Sequence, residues 1–257
     1  MRAMREQRGW SQAELGASAG YSESLIAMVE TYQRAPTRTL ALALDKAFGA
    51  PRTFERLEAR LRDLPFAASF RPFATYEAQA TALRWFEHSL VPGLLQTEGY
   101  ARAVLSTRPN STEADIDELV AGRMDRQAVL TREEPPPPLL WVLLDESVLH
   151  RPVAPACVMQ EQLFHLNEAA RLPNVTVNVV PYSAGGHSGL LGAFIIAELS
   201  GPTRIVFIED ASGGRVSEDP EVVSEVGLRF DALRSETLPT GASRDLIAKV
   251  ATEKWNA

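Results

Sequence analysis

The sequence of 257 residues lacks most of the features that mark a specialised class of protein. Its one cysteine, Cys157, can form no internal disulfide and excludes a site that needs several thiolates. Its apolar runs, such as Leu139 to Leu144, are much shorter than the ~20 residues of a membrane span. Residues 1–6 are rich in charge and contain no apolar segment, so no signal peptide is expected. These absences predict a soluble, cytoplasmic protein with no membrane partner.

Histidine is also scarce, and the four that are present do not form a metal-binding pattern. None has a second histidine four residues away, and no HExxH motif occurs. The glycine-rich segment 185–192 leads towards a strand and lacks the Lys-Ser/Thr pair of a phosphate-binding loop, which favours a mobile loop. We therefore expect no metal and no cofactor. Packing or surface roles are expected for His88, His150, His165 and His187.

The length and the distribution of charge favour two domains of different character. A chain of this length suits one small and one larger domain, and 45% hydrophobic with 23% charged residues is ordinary for a folded protein. Residues 1–50 hold six basic and five acidic side chains, a net charge of +1. The total is −7, so the other 207 residues carry −8. Only the N-terminal part is therefore suited to DNA, and its weak charge would need help from dimerisation or from a second arginine cluster.

Abrupt start and stop signals divide the N-terminal region into short helices. Ser11-Gln12-Ala13-Glu14 is a capping box that opens a helix, and Gly20 ends that helix. Ser22 caps a second helix, from Glu23 to about Thr31. Further amphipathic stretches follow and stop at Pro65, which we take as the end of the region. The sequence therefore predicts two domains, 1–64 and 65–257.

Small and apolar residues recur in this region at the spacing of a helix-turn-helix. Counted from Gln12, the positions that fit are Gly16, Gly20, Tyr21, Ile26 and Val29. Gly16 lets the second helix cross closely over the first, and Gly20 makes the tight turn between them. The two apolar residues of the second helix face inward. The sequence therefore predicts a helix-turn-helix whose second helix lies in the major groove of DNA.

This stretch resembles the Xre/Cro-repressor family, and the resemblance continues through Glu30, Arg34 and Pro36. The family usually has a basic residue and a glycine after the glutamate, whereas this chain has Thr31-Tyr32. The resemblance implies a DNA-binding domain. Because of this departure, the sequence predicts neither the phosphate contact that the basic residue usually makes nor the glycine that usually caps the end of the recognition helix.

The predicted recognition helix has unusual side chains for reading DNA. It offers the groove no Arg, Lys, Asn or Gln, which are the usual readers of guanine and adenine. Glu23 can accept a hydrogen bond from a cytosine amine, and Ala27 or Met28 can contact a thymine methyl group. Arg34 and Arg38 are expected to clamp the phosphate backbone. Three further side chains are expected to contact phosphates or base edges, namely Gln12, Ser22 and Ser24.

The larger part of the chain mixes helical and strand patterns. A helix-like run extends from Tyr76 to Ser89, and Leu139 to Leu144 is an apolar run of strand length. Further helices are predicted at about 97–105, from Ser111 on, at 156–171, from Pro220 on and at 243–254. Further strands are predicted at 175–180, 193–199 and 204–209. The predicted fold is an all-α helix-turn-helix domain followed by a larger α+β domain with a mixed sheet.

A second resemblance lies in this larger part. The segment from Trp85 to Arg102 contains the string VPGLLQT and resembles the C-terminal domain of WhiJ-like regulators of actinomycetes. Segments 123–127, 144–149 and 173–177 resemble other parts of that domain. The resemblance implies a transcriptional regulator, often paired with a small partner protein encoded nearby. It offers no catalytic residues.

Two arginines and one histidine are the candidates for binding a ligand in the larger domain, residues 65–257, which we call the body. Arg123 and Arg126 lie on one helix face and could hold an anion, and His187 lies in the glycine-rich loop. The alternative, which we favour, is that the arginines pair with Asp145 or Glu146. The adjacent carboxylates of that pair would point to opposite faces of a strand, which argues against a joint acid–base role.

Two hypotheses about function remain. The leading one is a homodimeric, sequence-specific DNA-binding transcriptional regulator whose body receives a small-molecule or protein signal. The alternative is a biosynthetic enzyme or ligand carrier that evolved from such a regulator and keeps the helix-turn-helix only as structure. The groove-facing surface without basic residues is the reason to keep the alternative.

Overall fold

The computed structural model describes residues 1–31, 34, 36–62, 70–210 and 213–256. The predicted domain boundary, between residues 64 and 65, lies outside these residues. The described part of the chain forms two units with separate apolar cores. The N-terminal unit contains helices, and the larger unit, called the body, contains helices and strands. None of its helices is both long enough and apolar enough to cross a membrane.

The N-terminal unit is entirely helical, as predicted. Its helices are α1 (Arg2–Gln7), α2 (Gln12–Ala19), α3 (Glu23–Glu30), α4 (Arg38–Phe48) and α5 (Thr53–Arg62). Leu15 of α2 and Ile26 of α3 are fully buried and pack with Leu40, Leu44 and Phe48 of α4. The short helices are therefore held together by one small shared core rather than by their own propensity.

The larger unit contains seven helices and six strands among the described residues. Its first half is α6 (Arg71–Gln79), β1 (Ala82–Glu87), α7 (Glu98–Leu105), α8 (Glu113–Arg126), β2 (Leu139–Asp145), α9 (Ser147–His150) and α10 (Ala156–Ala169). Its second half is β3 (Val175–Val180), β4 (Phe194–Glu198), β5 (Arg204–Ile208), β6 (Arg215–Ser217), α11 (Pro220–Ser235) and α12 (Thr240–Glu253).

The six strands form one mixed sheet in the order β3-β2-β1-β4-β5-β6. The first three are parallel and are joined by helical crossovers, whereas β4, β5 and β6 follow in antiparallel pairs. The prediction of an α+β domain with a mixed sheet is confirmed. Because β1 and β5 both run antiparallel to β4, they point in the same direction, and their C-terminal ends lie at the same end of the sheet.

Helices cover both faces of this sheet. The larger core lies on one face, where Trp85 and Val142 meet apolar residues of α10 and α12 such as Leu163 and Ile247. The opposite face is covered by α11, whose Phe230 packs with strand residues of the second core. Central strands are thus buried on both faces, which hides the alternation that marks a half-buried strand.

That double burial explains one wrong prediction. The helix expected from Tyr76 to Ser89 ends at Gln79, and the strand β1 follows from Ala82. The run around residues 77–83 is rich in helix formers, and a short apolar run cannot be assigned by periodicity alone. Residues 82–87 nevertheless form a strand, because they are hydrogen-bonded to β2 on one side and to β4 on the other. The short edge strand β6 was not predicted at all.

Candidate functional site

The turn between α2 and α3 has the geometry that the sequence predicts. Ser11 and Glu14 form the capping box, with the Glu14 N–H donating to Ser11 Oγ at 3.1 Å and the Ser11 N–H donating to the Glu14 carboxylate at 2.7 Å. Gly20 ends α2 with a φ of 77°, in the left-handed region. A Cβ at Gly16 would lie 2.7 Å from the carbonyl oxygen of Tyr21. Glycine at position 16 is therefore required by the approach of the turn to α2.

A buried carboxylate joins the first three helices. Glu30, at the end of α3, is 7% exposed and accepts two hydrogen bonds of 2.9 Å from the Arg5 guanidinium of α1. Gln12 Nε2 of α2 donates to the same carboxylate at 2.9 Å. Burial acts to raise the pKa of Glu30, but the hydrogen bonds from Arg5 and Gln12 outweigh it and hold that pKa below its ordinary value. The side chain of Gln12, one of the predicted DNA contacts, is thus oriented by Glu30.

The start of α3 is the most accessible part of the helix-turn-helix. Ser22, Glu23 and Ser24 are exposed, while Ala27 and Met28 are half-buried. Ser22 Oγ accepts a hydrogen bond of 3.3 Å from the Leu25 N–H, which fixes the first turn. All five side chains are among the predicted DNA contacts. The structure therefore places them on one short helix, with the polar ones at its N-terminal end.

The end of α3 shows what Thr31 does in the place of the basic residue of the Xre/Cro pattern, whereas residue 32, in the place of the glycine, lies outside the described residues. Thr31 follows the helix, and its hydroxyl donates to the carbonyl oxygen of Ala27 at 2.7 Å. The same carbonyl oxygen accepts from the Thr31 N–H at 2.9 Å, so Thr31 closes the last turn of the helix with both its main chain and its side chain. Thr31 itself has a φ of −97° and is not in the left-handed region.

The two predicted clamping arginines lie beyond α3. Arg34 is exposed, and its main-chain N–H donates to the carbonyl oxygen of Met28 at 3.1 Å. The side chain of Arg38 is 62% exposed and lies 3.2 Å from Glu55. An exposed ion pair of this kind contributes ~0–1 kcal/mol, so exchanging Glu55 for a phosphate costs Arg38 little.

In the body, the segment VPGLLQT is almost wholly buried and forms a hydrogen-bonded loop. Gln96 Nε2 donates to the carbonyl oxygen of Val91 at 2.7 Å. Gln162 of α10 donates to the carbonyl oxygen of Leu95 and accepts from the Thr97 N–H, both at 2.7 Å. The loop is therefore fixed to the helix behind it by buried amides, and its polar residues have partners.

The same loop forms one wall of a pocket with a volume of about 150 Å³. The opposite wall is α8, which contributes Arg123 and Arg126, and the floor is the C-terminal end of β1. Arg123 Nη1 donates to Gln96 Oε1 at 2.8 Å. A Cβ at Gly93 would collide with the Arg126 guanidinium. The glycine of the motif thus makes room for an arginine side chain.

Three glutamates complete the charged groups of this region. Glu77 of α6 is 1% exposed and lies 3.2 Å from the Arg126 guanidinium. Glu87, the last residue of β1, is 4% exposed, and Glu209 follows β5 at the solvent-exposed mouth of the pocket. Burial raises the pKa of Glu77 and Glu87, and the charge of Glu209 raises the pKa of Glu87 further. The pKa of Glu209 is raised as well, because the protein around its carboxyl group excludes part of the solvent although the residue as a whole is exposed.

Burial also lowers the pKa of Arg123 to about 10, and the neighbouring charge of Arg126 acts in the same direction. At neutral pH the guanidinium is still a cation. The pocket therefore combines a charged arginine with carboxyl groups that ionise less readily than usual.

The structure does not bring His187 to these arginines. His187 lies on the opposite face of the sheet, where its Nε2 is 3.0 Å from Asp145 Oδ2 and its ring contacts Phe86. The favoured pairing of the arginines with Asp145 or Glu146 is wrong. Asp145 binds His187 and the Ser147 N–H, and Glu146 accepts from the Tyr182 N–H, so both carboxylates have other partners.

Sequence reasoning missed most of the pocket. Glu77 and Glu87 fell inside the wrongly extended helix, and Glu209 was taken only as the end of a strand. Gln96 was quoted within the VPGLLQT string but was given no role. The one signal in the sequence that could have indicated the pocket is Glu87, an acidic residue two positions after Trp85 at the end of a strand. This signal is visible only once residues 82–87 are recognised as a strand.

Within the described ranges no group of three or more His, Cys, Asp or Glu side chains could hold a metal ion.

Residues 1–54 match the helix-turn-helix family. Together with the geometry of the turn and the exposed start of α3, this match places the N-terminal unit in the class found in DNA-binding regulators. Residues 70–249 match the family described as a domain of unknown function (DUF5753), and the chain belongs to this family. Neither a curated protein nor a solved structure matches the chain.

Proposed function

We propose that the protein is a sequence-specific DNA-binding transcriptional regulator whose body receives a signal. The observation that carries the DNA-binding part is the exposed start of α3, with Ser22, Glu23 and Ser24, on a rigid helix-turn-helix. A helix presented in this way can enter a major groove with its N-terminal residues against the base edges.

The contacts divide into those that position the protein and those that read bases. Arg34 and Arg38 supply charge for phosphates, and Gln12 supplies an amide oriented by Glu30. Glu23 is the acidic residue at the exposed start of the helix, and its side chain can accept a hydrogen bond from a cytosine amine. The predicted interface is therefore poor in charge, which favours binding as a homodimer to an inverted repeat.

The positioning role is tested through the dependence of affinity on salt. Bound sequences are first selected from random duplexes, and affinity is then measured by fluorescence anisotropy over a range of salt concentrations. Arg34→Ala with Arg38→Ala should weaken binding to all sequences alike and reduce the slope of log K against log salt by about 1.8, which is two contacts at ~0.9 each. Arg171→Ala with Arg229→Ala removes the same charge from the body and serves as the control. Equal slopes for both double variants would remove Arg34 and Arg38 from the interface.

The reading role is tested with Glu23→Gln. The change removes a negative charge near the phosphates, so affinity for unrelated duplexes should rise. Discrimination at one base pair of the selected site should fall by about 1–3 kcal/mol. Unchanged discrimination at every position would mean that Glu23 does not face the groove.

The body offers exposed apolar surface for a homodimer or for a small partner protein. Leu190 and Leu191 are 59% and 75% exposed, and Leu228 on the neighbouring helix α11 is 69% exposed. Exposed leucines on two neighbouring elements are candidates for an interaction surface. Light scattering of the purified chain, compared with a Leu191→Ser and Leu228→Ser variant, tests whether this surface makes a dimer.

Signal reception is supported by the pocket between the VPGLLQT loop and α8. A signal must bind the DNA-competent and DNA-incompetent states with different affinity, because equal affinity shifts no equilibrium. The alternative function, an enzyme or ligand carrier, is favoured by the same pocket, since carboxyl groups with raised pKa also mark catalytic sites. Incubation with a cell extract separates the two, because a receiver releases its DNA without consuming a metabolite and an enzyme consumes one.

A further inference from the structure

The charges around the pocket do not balance within the described residues. Arg126 is committed to Glu77, at 3.2 Å, and its guanidinium also stacks on Phe70, 4.5 Å from the ring centre. Arg123 donates instead to the neutral amide of Gln96. Glu87 and Glu209 both feel the field of Arg123, and no second guanidinium acts on either. Two carboxyl groups therefore share one cation.

One of these carboxyl groups is also short of a hydrogen-bond donor. Glu87 Oε1 accepts from Trp85 Nε1 at 3.1 Å, whereas Glu87 Oε2 is buried and has no partner among the described residues. A buried carboxylate oxygen without a donor is costly, so such an atom in a native structure calls for an explanation. Trp85 and Glu87 are two residues apart on one strand and therefore face the same side, into the pocket.

We propose that this pocket binds a small organic monocation, a protonated amine on an apolar body, with its ammonium group between Glu87 and Glu209. The ammonium supplies the N–H donor that Glu87 Oε2 lacks and the positive charge that the two carboxylates lack. An anion would meet a net charge of −1 from Glu87, Glu209 and Arg123 if both carboxylates ionise. A bare metal ion would find too few ligands, since the described residues hold no cluster of three or more suitable side chains.

The rest of the pocket suits the apolar part of such a ligand. Its other walls include Leu90, Val104, Leu119 and Phe207. A volume of about 150 Å³ is the scale of a cavity that holds one benzene ring. The indole of Trp85 also lines the pocket, with the N–H at its edge turned to Glu87. The pocket thus offers acidic groups at one place and apolar walls elsewhere.

Benzylamine, benzyl alcohol and benzoate are the probes, because they share one ring and differ in charge. Binding to the full chain without DNA is measured by calorimetry at neutral pH, where benzylamine is a cation. Benzylamine should bind at least tenfold more tightly than either of the other two. Equal affinity for benzyl alcohol, or tighter binding of benzoate, would overturn the proposal.

Variants locate the ammonium group. Glu87→Gln keeps the acceptor for Trp85 but removes the charge and should weaken benzylamine binding at least tenfold. Glu209→Gln, at the exposed mouth, should weaken it as well. Glu161→Gln makes the same change on the exposed face of α10 and should have no effect. Melting curves verify that each variant is folded, and benzylamine binding that survives both pocket substitutions would refute the assignment.

Proton release provides an independent readout. A bound ammonium lowers the pKa of Glu87, so binding should release protons from a carboxyl group that holds them more tightly than usual. The groups that act on Glu87 are Glu209, Arg123 and the N–H of Trp85, and Arg126 and Arg108 act in turn on Arg123. Binding enthalpies in two buffers of different ionisation enthalpy should therefore differ for the wild type, and this difference should become smaller for Glu87→Gln, in which only Glu209 can still release a proton. Identical enthalpies for the wild type would count against an ammonium at this carboxyl group.

The biological meaning of this site rests on the proposed role of the body as a receiver. The two can fail separately. Benzylamine binding that leaves DNA affinity unchanged would support the cation site and count against signal reception through it. DNA release by benzoate would support a receiver and overturn the cation site.

Discussion

Replacing Ile26 by alanine should unfold the N-terminal unit before the body. Ile26 is fully buried in a core that comprises, among the described residues, seven buried apolar side chains. An isoleucine-to-alanine change in a core costs ~2–5 kcal/mol. A unit of 54 residues has a total stability of about 3–8 kcal/mol at ~0.05–0.15 kcal/mol per residue. The substitution therefore removes between about a quarter and all of the stability of this unit, and it leaves the separate core of the body unchanged.

Scanning calorimetry measures the outcome. The variant should show a low-temperature transition for the helix-turn-helix and an unchanged main transition for the body, whose core is separate. Val29→Ala, at a half-buried position of the same helix, should shift the first transition less. A single transition that moves as a whole would refute the idea of two independent cores, and an unshifted thermogram would refute the burial of Ile26.

Three further outcomes follow from particular contacts. Gly16→Ala should destabilise the helix-turn-helix by about 1–3 kcal/mol, seen in its melting curve, because the new Cβ lies 2.7 Å from a backbone oxygen. Gln162→Leu should lower only the body transition, by about 1–3 kcal/mol for each backbone group of Leu95 and Thr97 left without a partner. Burial raises the pKa of Glu87 from its ordinary 4.5, so the folded state loses stability as pH rises through the raised pKa. Glu87→Gln cannot ionise, and its melting temperature relative to the wild type should therefore increase as pH rises above 4.5.

The helix-turn-helix could be predicted almost completely from the sequence because its signals are local. The capping box at Ser11, the left-handed Gly20 and the cap at Ser22 each act within three or four residues, and the structure has all of them. The close approach at Gly16 was also predicted, since only glycine lacks the Cβ that would collide there. Local rules of this kind need no knowledge of the rest of the chain.

The body was predicted in class but not in detail. The strand β1 looks like a continuation of α6 in the sequence, because its burial on both faces removes the alternation of a strand. Its identity depends on pairing with β2, more than fifty residues later, and with β4, more than a hundred residues later. Nonlocal pairing of this kind leaves no local pattern, and the position of Glu87 could not be predicted without it.

The partners of the arginines were wrong for the same reason. Arg123 and Arg126 share a helix face, as the spacing predicts, but which carboxylates meet that face depends on how the helix lies on the sheet. Glu77 reaches Arg126 because α6 packs beside α8, and Asp145 lies on the opposite face of the sheet. Sequence spacing can place side chains on one surface but cannot determine what faces that surface.

The position of α6 bears on how a ligand in the pocket could reach the DNA-binding unit. Residue 70 is the first described residue of the body, and Phe70 lines the pocket and packs on Phe73 and Phe207. Glu77, on the same helix, is held by Arg126 from the pocket wall. A cation bound between Glu87 and Glu209 would repel the neighbouring Arg123 and Arg126, and a shift of Arg126 would change its contact with Glu77 of α6, the first described element of the body. Signal reception requires that these contacts differ between the two states, because a ligand shifts an equilibrium only by its difference in affinity for them.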